Sequence, residues 1–168
     1  ERKMPVQVPS KWDKEVDVVV LGTGGAALTA AIAAADGGAS VLVLEKTHQI
    51  GGTTAYSGGV PWIPLNHYMQ EAGFQDQREE AVQFIERLAL GRADKKMIET
   101  FVDNGHVMIK YLAEHTPTKF ATPQSYPEYY GRMGEALKQG TRSLDPLPYD
   151  LNEIGEWAPL VRQNPLFP

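Results

Sequence analysis

The chain has 168 residues, 42% of them apolar, and 16 Lys+Arg against 21 Asp+Glu for a formal net charge of −5. That size allows one modest domain with a core, and the interspersed charges leave no basic stripe for nucleic acid. Cysteine is absent, which excludes disulfides, thiolate zinc sites and iron–sulfur clusters within these residues.

Residues 1–15 are polar, contain two prolines, and read as an arm. Val16-Asp17-Val18-Val19-Val20-Leu21 is a β-branched run of strand length. It flows into Gly22-Thr23-Gly24-Gly25-Ala26-Ala27 and a helix rich in alanine, and a second strand, Val41-Leu42-Val43-Leu44, ends on Glu45. This layout is that of a dinucleotide site. Gly22 allows a sharp exit from the strand where a Cβ would clash. Gly24 and Gly25 keep side chains away from an approaching diphosphate. Ala26 and Ala27 open the helix, Ala27 standing where a third glycine is usual. The helix then aims free N–H groups and its positive dipole end at the phosphates. Glu45 stands where an acid meets the ribose hydroxyls, which disfavours a 2′-phosphate. The alternative for this segment is a Gly/Ala helix that merely packs closely on a sheet.

A second glycine-rich bend follows Lys46: Gly51-Gly52-Thr53-Thr54-Ala55-Tyr56-Ser57-Gly58-Gly59. An NAD domain would continue here into further strand–helix units. A hydroxyl-studded loop instead suits a long, bent ligand laid against backbone N–H groups, although it also reads as an ordinary flexible loop. Residues 16–66 are therefore taken as a βαβ core with its ligand loop.

Residues 67–117 read as helical. A short helix over Asn66–Ala72 is closed by Gly73. A second starts at Asp76 as cap, carries Ala81, Val82, Ile85, Leu88 and Ala89 on one face, and is closed by Gly91. A third starts at Asp94 with Met97, Ile98, Phe101, Val102, Met108, Tyr111 and Leu112 inward, and His115-Thr116-Pro117 ends it. Gly105 interrupts this helix, as a kink or a close-packing point. Residues 118–168 are broken by prolines and glycines, with short strands or turns at most. No convincing third βαβ unit appears.

The run V-V-V-L-G-T-G-G-A-A followed by E-K-x4-G-G-T-T-A-x-S-G-G resembles the FAD-binding domain of the fumarate reductase/succinate dehydrogenase/3-ketosteroid dehydrogenase superfamily. The resemblance implies an α/β, Rossmann-like FAD-binding domain followed by helices and an irregular substrate-side segment, incomplete without a further segment or chain. It implies that Gly22, Gly24, Gly25, Ala26, Ala27, Glu45 and Lys46 serve the ADP half of FAD. Gly51, Gly52, Thr53, Thr54, Ser57, Gly58 and Gly59 would lie along the rest. Superfamily members that attach flavin covalently place a histidine seven residues before the loop's last glycine. Gly52 holds that position here and His48 lies outside it, so FAD is expected to bind non-covalently.

The closer resemblance is to 3-ketosteroid Δ1-dehydrogenases, over Val16 to Asp150. It is carried by S-G-G-V-P-W-I-P-L-N (Ser57 to Asn66), R-E-E-A (Arg78 to Ala81), F-V-D-N-G (Phe101 to Gly105), L-A-E-H-T-P (Leu112 to Pro117) and G-T-R-S-L-D-P-L-P-Y-D (Gly140 to Asp150). It implies dehydrogenation next to a carbonyl with hydride passing to flavin N5. Within Ser125-Tyr126-Pro127-Glu128-Tyr129-Tyr130 it makes Tyr126 the wall aromatic and Tyr129 the catalytic tyrosine. The residues alone also allow a Tyr/Pro cluster packed over a core edge. Gly131-Arg132-Met133-Gly134-Glu135 departs from the family's Pro-Gly-Gly bend, so the substrate loop is reshaped. Arg132 and Arg142 are candidates for an acidic substrate group or plain surface arginines; Trp62, Asn66 and Tyr56 are candidate pocket walls or core.

The expected function is part or subunit of an FAD-dependent dehydrogenase acting on an apolar cyclic ketone. The alternatives are a fumarate-reductase-like enzyme for an unsaturated acid, or a non-catalytic flavin subunit. A second chain or segment, no nucleic acid, no membrane span, no metal and a cytoplasmic setting are expected with it. Gly22–Ala35, the longest uncharged small/apolar stretch, is too short to cross a bilayer. The four histidines (His48, His67, His106, His115) fall at no ligand-pair spacing.

Overall fold

The computed structural model describes residues 9–137 and 140–165, so residues 1–8 of the expected arm lie outside it. β1 (Val18–Leu21) and β2 (Val41–Leu44) pair in parallel, Val18 opposite Val41 and Leu21 opposite Leu44. The crossover between them is α1 (Gly25–Asp36). Parallel pairing demands such a crossover. Alanine gives α1 its helical bias and lets it sit close on both strands. Asp17 fastens the start of the sheet by accepting hydrogen bonds from the Ser40 amide and hydroxyl at 2.8 and 2.6 Å. Among the described residues these two strands form the whole parallel sheet.

The second glycine segment is not a plain loop. It contains a short helix, α2 (Gly52–Tyr56), entered through left-handed backbone at Gly51 and Gly52. α3 (His67–Glu71) is capped by Asn66, whose side chain accepts from Met69 N at 3.0 Å. Asn66 is thus a fully buried cap and not a pocket wall.

α4 (Arg78–Ala89) and α5 (Lys95–His115) form a helical hairpin closed by Ala81, Val82, Ile98 and Val102. Arg78 bonds Asp103 across it through Nε and Nη2 at 2.5 and 2.7 Å. Two expectations need correction here. Gln77, not Asp76, stands at the start of α4, because the Asp76 carboxylate is drawn into an ion pair described below. And α5 turns Ile98, Val102, Gly105 and Ile109 inward, leaving Met97 and Phe101 exposed. The helix runs unbroken through Gly105, which packs on Ile63: a Cβ there would lie 3.4 Å from Ile63 Cγ2.

The last third of the chain is sewn back onto the first. Ile63 N donates to Arg142 O and Leu144 N to Pro61 O, at 2.8 and 2.9 Å. A second core forms there from Ile63, Ile109, Phe120 and Leu144. β3 (Phe120–Ala121) and β4 (Asp145–Pro146) pair antiparallel. A 3-10 segment, Leu151–Leu160, breaks at Gly155 and leads to Val161, which bridges Ile50 beside the second glycine turn. Among the described residues no helix is long and apolar enough to cross a membrane.

Candidate cofactor site

The two glycine turns meet. Gly22 leaves β1 with φ +95°, and a Cβ added there would meet nothing within 4 Å. Its need for glycine is therefore the left-handed backbone and not the steric clash expected from the sequence. Gly52 is constrained twice: φ is +56°, and a Cβ would fall 3.1 Å from Gly24 Cα. The first and second turns touch at this point, backbone against backbone.

α1 begins at Gly25 with Gly24 as its N-cap and no acidic residue in its first turn. Its dipole is therefore uncompensated by its own side chains. Thr54 Oγ1 accepts from Gly25 N at 3.0 Å. Ala26 and Ala27 precede the first bond of the helix, Leu28 N to Gly24 O at 2.9 Å, so their amides have no acceptor within it. Free amides at a helix N-terminus point out along its axis, the setting that suits an anionic group.

Glu45 stands at the end of β2. Its Oε2 accepts from Thr23 Oγ1 at 2.6 Å and its Oε1 from Thr47 N at 3.0 Å. The Thr23 bond first, then the Thr47 amide, lowers its pKa to about 2. A charged carboxylate at this point is an acceptor for a ribose hydroxyl. Thr23 also accepts from Gly51 N at 2.9 Å. This one buried hydroxyl joins the first turn, the acid and the second turn. Sequence reading passed over Thr23 because the glycine motif leaves its position unspecified; a β-hydroxyl between two obligatory glycines was the available signal.

The remaining expected cofactor residues sit around this junction. Lys46 and Gly58 are exposed. Ser57 Oγ donates to Thr54 O and accepts from Gly59 N at 2.9 and 3.1 Å, shaping the loop's end. Gly52, Thr53 and Tyr56 line a cleft of about 390 Å³ together with Arg162, which the 3-10 segment brings back. Arg162 lies 111 residues beyond Gly51 in the chain, and nothing local in the sequence marked it.

Tyr126 and Tyr129 stand apart from the glycine junction. Their rings meet edge to face at 6.5 Å, and both are exposed. Hydrogen bonding to Tyr129 pushes the Tyr126 phenol above its ordinary value, with the Asp145 charge a lesser contribution. β4 lies against the second glycine loop: Pro146 Cγ would be 3.5 Å from a Cβ on Gly59, and the Asp145 charge beside it is felt at Tyr126. Tyr126 also lines a cleft of about 520 Å³ with Phe74, Gln124 and Leu137.

Arg132 is exposed. Arg142 is 0% exposed, which overturns its reading as a surface or substrate-facing arginine. It pairs with Asp76 at 2.7 Å and lies 5.4 Å from the ring centres of Trp62 and Phe84. Trp62, half-buried, stacks on Phe84 and Phe101 at 5.7 and 6.3 Å. Among the described residues no cluster of His, Asp and Glu is arranged to hold a metal.

The donor set fits a flavin dinucleotide: amides for a diphosphate, a charged carboxylate for a ribose, and glycine surfaces for close approach. Comparison with known proteins agrees. The chain is 38% identical over 149 residues to 4-oxocyclohexanecarboxylate 2-dehydrogenase of Sinomonas cyclohexanicum, covering 88% of this chain and 26% of that one. It is 36% identical over 142 residues to 3-oxosteroid 1-dehydrogenase of Mycolicibacterium smegmatis, covering 84% and 25%. Its fold matches 3-ketosteroid delta1-dehydrogenase from Sterolibacterium denitrificans, solved with 1,4-androstadiene-3,17-dione, at TM-score 0.81 and 33% identity, over 89% of this chain and 26% of that one. The chain thus spans about a quarter of the length of these relatives. With residues 17–162 matching the family model and the glycine junction in place, the chain belongs to the FAD binding domain family.

Proposed function

We propose that this chain supplies the flavin site and part of the substrate face of an FAD-dependent dehydrogenase. The enzyme removes hydrogen across a C–C bond next to the carbonyl of a cyclic ketone. The observation that carries the reading is the joined pair of glycine turns beside Glu45, within a segment whose matched relatives are dehydrogenases of oxo compounds. Bound FAD supplies the two-electron acceptor. We take the rest of the flavin sheet from a further segment or a second chain, because these residues span a quarter of the relatives' length. The substrate is either a steroid or a single-ring oxocyclohexane acid, the classes named for the relatives. A cytoplasmic setting belongs to the same reading, and cell fractionation checks it.

Within this reading Tyr129 accepts the proton from the carbon beside the carbonyl. A free phenol with a pKa near 10 is a poor base, so it needs a neighbour to support its charged form. Tyr126 answers that need. Its ring stands edge to face with that of Tyr129 at 6.5 Å, and its phenol O–H is there to donate to a phenolate forming on Tyr129. The flavin is held without a covalent bond, since Gly52 occupies the attachment position.

The complete enzyme tests this directly. Its flavin should bleach on anaerobic addition of a 3-ketosteroid or of 4-oxocyclohexanecarboxylate, and acid precipitation should release all flavin into solution. Bleaching only through an added protein would mark an electron-relay subunit instead. Tyr129→Phe should lower kcat by roughly 10²–10⁴-fold; full turnover removes the tyrosine from the mechanism. Gly24→Asp sets bulk and negative charge beside the diphosphate and should yield colourless protein. Normal flavin content in that variant would sink the cradle assignment.

A further inference from the structure

Between Ser125 and Tyr130 one side chain is buried. Tyr126, Pro127, Tyr129 and Tyr130 are exposed, while Glu128 points inward with its carboxylate fully covered. Glu128 Oε1 accepts from the Trp62 indole N–H at 2.8 Å, and Oε2 lies 3.6 Å from Arg142 Nη1. Arg142 is itself immobilised. Asp76 accepts from its Nε at 3.0 and 3.1 Å and from its Nη2 at 2.7 Å, and the guanidinium lies against Trp62 and Phe84.

The socket is thus built from segments the chain separates widely. Trp62 stands three residues beyond Gly59, bridged in antiparallel fashion to Ser143. Asp76 precedes α4 and Phe84 lies within it. Glu128, one residue before Tyr129 and two after Tyr126, hangs the tyrosine loop on the segment that leaves the glycine loop. The directional element of the anchor is the indole hydrogen bond, because Asp76 already takes Nε and Nη2 of the arginine.

We propose that Glu128 is a positioning residue for the reaction: gripped by Trp62 and Arg142, it sets where the Tyr126–Tyr129 pair stands relative to the end of the flavin loop. This rests on the assignment of proton transfer to Tyr129. Length and hydrogen-bond acceptance then matter more than charge. Glu128→Gln keeps the length and the acceptor for the indole but loses the charge and turns an amide N–H towards Arg142, whereas Glu128→Asp keeps the charge and draws the loop inward by one methylene.

The test uses the complete, flavin-loaded enzyme with a 3-ketosteroid or 4-oxocyclohexanecarboxylate, whichever is turned over. Glu128→Ala should lower kcat by roughly 10–100-fold with flavin content unchanged, the scale of a reacting group misplaced by about an ångström. Glu128→Gln should retain more kcat than Glu128→Asp. Adding Glu128→Ala to Tyr129→Phe should cost nothing further, because both act through one hydroxyl. If Glu128→Ala does not fold, Trp62→Phe, which deletes the N–H and keeps the ring, should lower kcat in the same direction. Wild-type kcat in Glu128→Ala or in Trp62→Phe, loss of flavin from either, greater activity in Glu128→Asp than in Glu128→Gln, or additive losses in the double variant each overturn the proposal. An unimpaired Glu128→Ala beside an impaired Tyr129→Phe overturns this inference alone. Full turnover of Tyr129→Phe overturns the reaction assignment and this inference with it.

Discussion

A single hydroxyl sets the electrostatics at the ribose end of the site. Thr23 donates to Glu45 and is the largest cause of the carboxyl's low pKa of about 2, against an ordinary value of 4.5. A folded-state pKa below the unfolded one favours the folded chain above pH 4.5, and this contribution drains away as pH falls from 4.5 towards about 2. Thr23→Val removes the donor while keeping the shape. The Glu45 titration, followed by carboxyl carbon NMR in the flavin-free chain, should then move up towards 4.5, and the acid limb of the stability profile should move up with it. The same change frees the Gly51 amide from its acceptor, so the flavin dissociation constant should also rise. An unmoved Glu45 midpoint would show that the hydroxyl does not grip the acid in solution. At this scale the glycines and Glu45 were legible because backbone geometry admits few residues there. Thr23, Arg162 and Glu128 were not, since each owes its role to partners 22, 115 and 66 residues away.

Elements followed the sequence where local forces decide. The Val/Leu runs became β1 and β2, alanine made α1, and helices form where the sequence starts them at Asn66 and Asp94, with those two residues as their N-caps. The sequence erred where a distant partner competed. Asp76 had cap chemistry, but a buried guanidinium claims a carboxylate more strongly than helix amides do. The inward face of α5 was misjudged because its apolar residues cover more than one side of the helix, and packing against α4 and the Ile63 segment decides which side is buried. Gly105 marks that contact. With a Cβ of Ala at 3.4 Å from Ile63 Cγ2 the fit is ordinary contact, while helix propensity gains about 0.5–1 kcal/mol. Gly105→Ala should therefore leave thermal stability unchanged or slightly raised. Gly105→Leu overfills the same point and should cost about 1–3 kcal/mol, read by denaturant unfolding.

For the molecule as a whole, the parallel sheet is the unfinished part. A βαβ unit buries one sheet face under its helix, and families of this architecture cover the other face too. Here Val20 is buried, whereas Val19 and Leu21 on the opposite face are 52% and 78% exposed. Alternating residues thus report a covered face and an uncovered one, which agrees with a chain spanning a quarter of its relatives' length. The two faces should respond to substitution in opposite ways. Val20→Ala withdraws buried methyls and should destabilise the isolated chain by about 1.5–3 kcal/mol. Leu21→Lys removes no buried contact, so its stability should stay within about 0.5 kcal/mol while its solubility limit rises. In the complete enzyme the second substitution should turn costly, because the added charge would then face whatever strand or helix covers β1. Equal tolerance of Leu21→Lys in both contexts, measured by thermal unfolding and flavin retention, would mean that this face stays open in the assembled flavoprotein.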